Sequence, residues 1–482
     1  MPGDPFRPAF HFSPRRNWMN DPNGLVWHDG EYHLFFQYNP GGPDWGNMSW
    51  GHAVSRDLAR WEELPVALSY TDTEHVYSGS VVVDEANTSG LGTDRTPAMV
   101  AVYTSHAVGS PAETQSVAYS RDKGRTWTRY DQNPVLDVGS TDFRDPKVFW
   151  YEPGGHWVMV VVLAVERVVQ LYRSDDLLGW DHLSDFGPAG AVSDLWECPD
   201  LFSVPLDGDP EALRWVLVVS VQGGAPAGGS GIQYFVGDFD GARFEAEPGP
   251  DPDGVAWVDH GADYYAAVSF ADIPDGRRLL MGWMSNWAYA GAVPAADFRG
   301  AMSLPRAYEL RSVDGRPRLV QQPVLPDLGG PVHVSGAREI STGLHPLPEE
   351  CHGRHLAVLV ELEPGTAERC GLAVRMAGAE RTDIGYDVGE ADVYVDRSRS
   401  GDTSFSDAFP AVHRAPFCSR DGVVRLQVYV DSTSVEVFAG DGEVVLTDQV
   451  FPSPESVGIA LFVEGGTARL RSLSVTPMGR GT

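Results

Sequence analysis

The sequence predicts an all-β chain, a five-bladed β-propeller followed by a C-terminal β-sandwich. Three observations lead there: short strand-like runs with no long amphipathic helix, a repeat within about the first 320 residues, and a change of texture after Pro323. At 482 residues the chain exceeds what one hydrophobic core usually serves, so two domains are the natural expectation.

The first observation is local. Tyr32–Tyr38, Ser80–Val83, Met99–Tyr103, Trp157–Leu163, Trp215–Val221 and Leu279–Trp283 are rich in Val, Tyr, Phe and Trp and are separated by Gly, Asp and Pro. Branched and aromatic side chains suit a pleated, half-buried surface, and the punctuation suits turns. The second observation is a Ser-x-Asp followed a few residues later by Trp: Ser55-Arg56-Asp57 to Trp61, Ser120-Arg121-Asp122 to Trp127, and Ser174-Asp175-Asp176 to Trp180. A degenerate copy runs from Gly237-Asp238-Phe239-Asp240 to Phe244. A period of about 55 to 65 residues accommodates a four-stranded blade. Its outer hairpin turns at the Ser-x-Asp, and its aromatic packs on the neighbouring blade. Blade starts fall near Asp21, Ser78, Asp145, Cys198 and Tyr264, which makes five.

The third observation is the stretch Pro323-Val324-Leu325-Pro326-Asp327-Leu328-Gly329-Gly330-Pro331, a stiff, non-repeating linker. Beyond it, His355–Leu362, Val423–Val430, Ser434–Phe438 and Val457–Val463 alternate apolar and polar residues, with turns such as Asp441-Gly442, as sandwich strands do. The expected organisation is a propeller over 1–323, a linker over 324–335 and a sandwich over 336–482.

Composition narrows the function classes. A formal net charge of −31 with no local Lys/Arg cluster disfavours nucleic acid and anionic lipid, and no run approaches the ~20 apolar residues of a membrane span. The N-terminus, Met1-Pro2-Gly3-Asp4-Pro5, lacks the features of a signal peptide, so the expectation is a cytoplasmic protein or one whose signal is absent from this sequence. Cys198, Cys351, Cys370 and Cys418 have no metal-ligand spacing. They are too few for a disulfide scaffold, although one pair is possible among the last three. No metal and no cofactor is implied; the oligomeric state is open.

Three of the five blade starts carry acids: Asp21 in Trp18-Met19-Asn20-Asp21-Pro22-Asn23-Gly24, Asp145 in Phe143-Arg144-Asp145-Pro146, and Glu197 in Trp196-Glu197-Cys198-Pro199-Asp200. Asp-Pro alone is ordinary turn chemistry. Recurrence at matching places in different blades changes that reading, because the inner strands of a propeller converge on a central channel. Glycoside cleavage needs one protonated and one ionised carboxylate flanking the scissile bond. Arg144, beside Asp145, is expected to hold that carboxylate ionised, and Glu197, between Trp196 and Cys198, has a less polar neighbourhood that favours keeping a proton. Gln37-Tyr38-Asn39, Trp45–Trp50, Tyr77-Ser78 and Trp283–Trp287 supply aromatic faces and planar polar groups of the kind that bind sugars.

These residues resemble glycoside hydrolase family 32, the invertase, inulinase and levanase group. Trp18–Gly24 matches its β-fructosidase signature throughout, Arg144-Asp145-Pro146 and Glu197-Cys198-Pro199 match its other two motifs in order, and Tyr394–Ser398 and Val435–Phe438 resemble its C-terminal sandwich. The resemblance implies a retaining hydrolase that releases terminal β-fructosyl units from fructans (levan, inulin) or sucrose. Asp21 is then the nucleophile, Glu197 the acid/base and Asp145 the transition-state stabiliser, with Asn20, Gln37, Trp45, Tyr77, Ser78, Arg144 and Trp283 lining the fructose subsite. Trp45–His52, Trp283–Ala290 and Arg299–Ser303 look most like bacterial exo-acting levanases and inulinases. Three other readings share parts of this pattern: an inverting five-bladed pentosidase, a fructosyltransferase, and a non-catalytic carbohydrate-binding protein. The Trp18–Gly24 signature weighs against the first and the intact acids against the last.

Overall fold

A computed structural model of the chain describes residues 4–249, 254–294, 297–325 and 329–479. Among these residues the structure is strands, turns and two short 3-10 segments, Ala290–Ala292 and Glu349–Cys351. Every strand-like run picked out in the sequence falls on a strand, those from His355, Val423 and Val457 starting one residue later than expected. No helix among the described residues is long and apolar enough to cross a membrane.

The N-terminal region is propeller-like. Antiparallel sheets succeed one another along the chain: a five-stranded sheet carrying Asn17–His28, a four-stranded sheet opened by Glu74–Asp84, another opened by Phe143–Tyr151, and a nine-stranded sheet containing both Trp196–Leu206 and Tyr265–Ser269. The Ser-x-Asp motif forms the turn between the third and fourth strands of a sheet in all three intact copies. Asp57 Oδ1 accepts the Ala59 and Arg60 N–H groups at 3.0 and 2.8 Å, and Asp176 Oδ1 accepts those of Leu178 and Gly179 at 2.9 and 2.8 Å. The degenerate copy keeps the same device, Asp240 Oδ1 accepting from Ala242 and Arg243. The aromatic that follows packs outward onto the neighbouring sheet: Trp127 meets Phe35 of the first sheet edge-on at 5.4 Å, and Phe244 meets Phe186 at 5.2 Å. Ring closure is by backbone. Asn17 and Trp18 pair in parallel with Phe298 and Arg299, and Val26 bridges Ala271.

The C-terminal region is a β-sandwich whose core runs from Ile340 to Val475. Its two layers share the 20-residue strand Gly458–Pro477, which pairs first with Arg369–Ala377 and then with Leu356–Glu363. The strand turns between layers at Gly465-Gly466, both at positive φ, where a side chain on Gly466 would strike the Thr366 carbonyl. Of the expected linker 324–335, residues 326–328 lie outside the described residues. One part needs correction: His333–Ser335 already pairs with Leu473–Val475 as a sandwich strand, because the long strand Gly458–Pro477 offers an open edge of backbone donors and acceptors there. All four cysteines are free.

The two regions meet along a polar seam. The hairpin turn Asp441-Gly442, both residues at positive φ, inserts against the propeller edge, where the Gln321 N–H donates to the Gly442 carbonyl at 3.0 Å. A Cβ at 442 would collide with the Gln321 carbonyl, so glycine is required there.

Candidate active site

Five strands carry the same irregularity. Between Met19 and Pro22, Val76 and Gly79, Arg144 and Lys147, Glu197 and Asp200, and Tyr265 and Val268, three residues on one strand span the distance covered by two on its partner. Each is a β-bulge with one extra residue, a device that bends a strand and re-aims side chains. The bulges hold Asp21, Ser78, Asp145, Cys198 and Ala266. Pro146 and Pro199 sit unpaired inside two of them, where a missing N–H costs no ladder bond, and Pro22 closes a third opposite Phe36. Asp145, Cys198 and Ala266 adopt φ of 66°, 47° and 52°, strained values for residues with side chains that only an over-determined surrounding sustains.

The bulges bring the acids together. Asp21 accepts from Asn20 Nδ2 at 3.0 Å and from Ser78 Oγ at 2.8 Å. Asp145 Oδ2 accepts the Cys198 N–H at 2.9 Å, and the Asp145 N–H is held by Thr104 Oγ1 at 2.9 Å. Cys198 Sγ stands between the two carboxylates, 3.5 Å from Asp21 Oδ2 and 3.6 Å from Asp145 Oδ2. Burial, and then the charge of Glu197, pushes the Asp21 carboxyl up to about 6; the bonds from Ser78, Asn20 and Cys198 hold it from rising further. Asp145 is raised for the same two reasons, burial first.

Two expectations about the neighbours need correction. Arg144 does not pair with the adjacent Asp145: its Nε donates to Glu113 Oε2 at 2.9 Å and its Nη1 to Glu197 Oε1 at 3.2 Å, with Asp142 3.5 Å away. The bulge separates the two side chains, so the Arg144 charge only moderates the rise at Asp145 and does not hold it low. Glu197 is likewise not in an apolar pocket. Trp196 turns away into the core and donates to the Ala191 carbonyl, Cys198 faces the two aspartates, and Glu197 itself meets Arg144 and the Tyr265 hydroxyl, 2.7 Å from Oε2.

The remaining residues singled out in the sequence lie on the strands and loops around this centre. Asn20 is buried and accepts from Trp18 Nε1 at 2.7 Å; Gln37 is buried and donates to the Val76 carbonyl at 3.2 Å. Tyr77 is half-buried and stacks on His106, with ring centroids 4.9 Å apart. Trp45 stands at the rim, 51% exposed, tilted 6.2 Å from Tyr77. Trp283 is wholly buried beside Trp18, Trp287 and Tyr265, its indole N–H without a partner among the described residues. Glu113, Thr104 and Tyr265 went unnoticed in the sequence. None sits in a motif; the available signal was an acid, Glu113, opening a strand whose other residues are largely buried.

Residues 11–323 match the family description "Glycosyl hydrolases family 32 N-terminal domain", and residues 334–477 match "Glycosyl hydrolases family 32 C terminal". The chain is 46% identical to a levanase of Bacillus subtilis, over 98% of this chain and 70% of that protein. It is 40% identical to an extracellular exo-inulinase of Aspergillus awamori, over 96% and 93%. The crystal structure of exo-inulinase from Aspergillus awamori superposes with a TM-score of 0.93 at 39% identity, covering 98% and 99% of the two chains. A β-fructofuranosidase from Schwanniomyces occidentalis, complexed with fructosyl-erythritol, gives 0.89 at 32%, covering 98% of each.

Proposed function

The chain belongs to glycosyl hydrolases family 32 and is a glycoside hydrolase, and from that premise we propose that it releases terminal β-D-fructofuranosyl units from fructans and sucrose with retention of configuration. The observation that carries this reading is the meeting of Asp21, Asp145 and Glu197 at one ring of bulges, with hydroxyl and amide donors fixed on Asp21.

In this reading Asp21, ionised above about pH 6, attacks the anomeric carbon while Glu197 delivers its proton to the departing oxygen. The bond to the leaving sugar breaks as the bond to Asp21 forms. Glu197, now ionised, takes a proton from water, which attacks the same carbon and releases fructose and Asp21. Ser78 and Asn20 aim the Asp21 oxygens, so attack requires no reorientation. Asp145 binds fructose hydroxyls most strongly as the ring flattens toward a cation, and Arg144 orients Glu197 from the other side. Asn20, Gln37, Tyr77, Ser78, Arg144 and Trp283 bound the fructose subsite, and the exposed Trp45 offers a stacking face to whatever the fructosyl unit is attached to.

We also read the N-terminal region as five blades. The nine-stranded sheet is joined between its two halves by the single pair Leu206 and Leu310, and five bulged strands supply five innermost strands. The propeller then spans 1–323 and the sandwich runs from the linker to 482, in keeping with the two matched ranges.

Products released from levan, inulin and sucrose, followed side by side, test the function. Free fructose appearing from the first minutes, without intermediate oligomers, is expected from all three. Oligomers from the fructans would overturn exo action, and kestose-type products dominating at high sucrose would assign transfer instead of hydrolysis. The polarimetric change as fresh product mutarotates reports the configuration, and inversion would eliminate a covalent Asp21 intermediate.

A further inference from the structure

The sandwich reaches the acid group of the site through a continuous set of bonds. Propeller residues Asp259–Asp263 run beside the sandwich strand Val444–Gln449: the His260 N–H donates to the Val445 carbonyl at 2.8 Å and that of Asp263 to Thr447 at 2.9 Å. In return, the Thr447 N–H donates to Asp259 Oδ1 at 2.9 Å and the Gln449 N–H to Asp263 Oδ2 at 2.8 Å. At Gly261 the two backbones approach so closely that a Cβ would strike Thr447. Two residues past Asp263, Tyr265 opens the next strand and its hydroxyl donates to Glu197.

Arg397 of the sandwich, wholly buried, locks this approach. Its Nη1 donates to Asp263 Oδ2 at 2.6 Å, its Nη2 to the Tyr289 hydroxyl at 2.9 Å and its Nε to the Phe409 carbonyl at 2.7 Å; the Tyr289 hydroxyl itself donates to Asp263 Oδ1 at 2.7 Å. Tyr289 closes the segment that begins with Trp283 and Trp287, so one guanidinium holds both the lead-in to Tyr265 and the aromatic wall. Among the described residues, no cation of the propeller is within ion-pair distance of Asp263. Without Arg397 a buried carboxylate loses its cation two residues from Tyr265, which touches Glu197.

We propose that the sandwich is part of the catalytic unit: Arg397 is a positioning residue that, through Asp263 and Tyr289, fixes the Tyr265 hydroxyl on the Glu197 carboxylate. The proposal rests on the reading of Glu197 as acid/base. Loss of that alignment penalises proton delivery to a poor leaving group and spares a leaving group that departs unprotonated.

Arg397→Lys, Tyr289→Phe and Glu197→Gln, made in the full chain, test it on sucrose and on a fructoside with an activated aromatic aglycone, scored by first-turnover release. Arg397→Lys should lower the rate on sucrose by about tenfold or more with KM little changed, and aglycone release by less than about threefold. Tyr289→Phe, which removes one hydroxyl and keeps the packing, should show the same selectivity at smaller size. It carries the test should Arg397→Lys fail to fold. Equal losses on both substrates, in proportion to the folded fraction, would overturn the proposal while Glu197→Gln still shows the selectivity. Should Glu197→Gln itself lose both rates equally, the acid/base reading falls and the proposal with it.

Discussion

At the seam between the domains, Asp431 and Glu436 both bond the ring of His11, at 2.8 and 2.7 Å, and Glu436 also receives Arg306 at 2.5 Å. At the mouth of the propeller, Asp21, Asp145, Glu197 and Glu113 have one arginine among the described residues, Arg144, which bonds only the last two. Asp431 and Glu436 at the seam and Asp21 and Asp145 at the mouth are all buried, yet their carboxyls shift in opposite directions. Burial raises both Asp431 and Glu436, but His11 outweighs it at Asp431, and Arg306 and His11 outweigh it at Glu436, bringing each down to about 2; the same acids hold His11 at about 9 against its burial. Asp21 sits at about 6 and Asp145 is raised as well. Burial alone therefore sets neither outcome. The local balance of charge does, and around Asp21 and Asp145 it is left short of cations.

Asp21→Asn should have the largest effect on activity. An amide cannot attack the anomeric carbon, so activity on sucrose should fall by at least about a thousandfold. The same change should stabilise the fold. With a folded value near 6 against 3.8 when unfolded, the Asp21 proton is lost first from the unfolded chain as pH rises, so folding is opposed by up to about 3 kcal/mol above pH 6. Melting of Asp21→Asn and the parent should differ at pH 7 and coincide below about pH 4. An Asn variant less stable at pH 7 would show that Asp21 is held by its bonds more than it is opposed by its burial.

Asp145→Asn comes next. Losing a charged bond made chiefly in the transition state should lower kcat by about a hundredfold, some 3 kcal/mol, with KM little changed and the melting temperature retained. A lowered melting temperature with kcat intact would make Asp145 a structural bulge residue. At the seam the expected pattern inverts. Asp431→Asn leaves His11 and its backbone donors short of a buried partner and should cost about 3 to 5 kcal/mol of stability, while the molecules that remain folded keep kcat within about twofold. Because His11 has a folded value near 9 and an unfolded one of 6.5, its share of that stability is complete below pH 6.5. It should fade as pH rises through 9, visible as a falling denaturation midpoint.

Ser78→Ala should have the smallest effect. Ser78 Oγ is the first of the bonds that hold the Asp21 carboxyl down, so Ser78→Ala should move the acid limb of kcat/KM upward from about pH 6. An unmoved limb would assign it to another group.

Much of this was legible in the sequence because much of it is local. The Ser-x-Asp turns close bonds within four residues, so the same letters fold the same way in each sheet and advertise the repeat. The three acid motifs are also contiguous, and each lies within one bulged strand. What the sequence alone determined was therefore the class of fold, the texture of its two regions and the identity of the acids. Ring closure decided the rest. Arg144 turned from its neighbour Asp145 to Glu113 and Glu197, 31 and 53 residues away; Cys198 came to lie between Asp21 and Asp145; and Asp263 found its cation 134 residues on, in the other domain. The physical reason is range. A turn or a strand is chosen by side chains and backbone within a few residues, whereas the electrostatics of a buried carboxylate depend on which charges the packed sheets bring within a few ångströms, and adjacency along the chain does not report that.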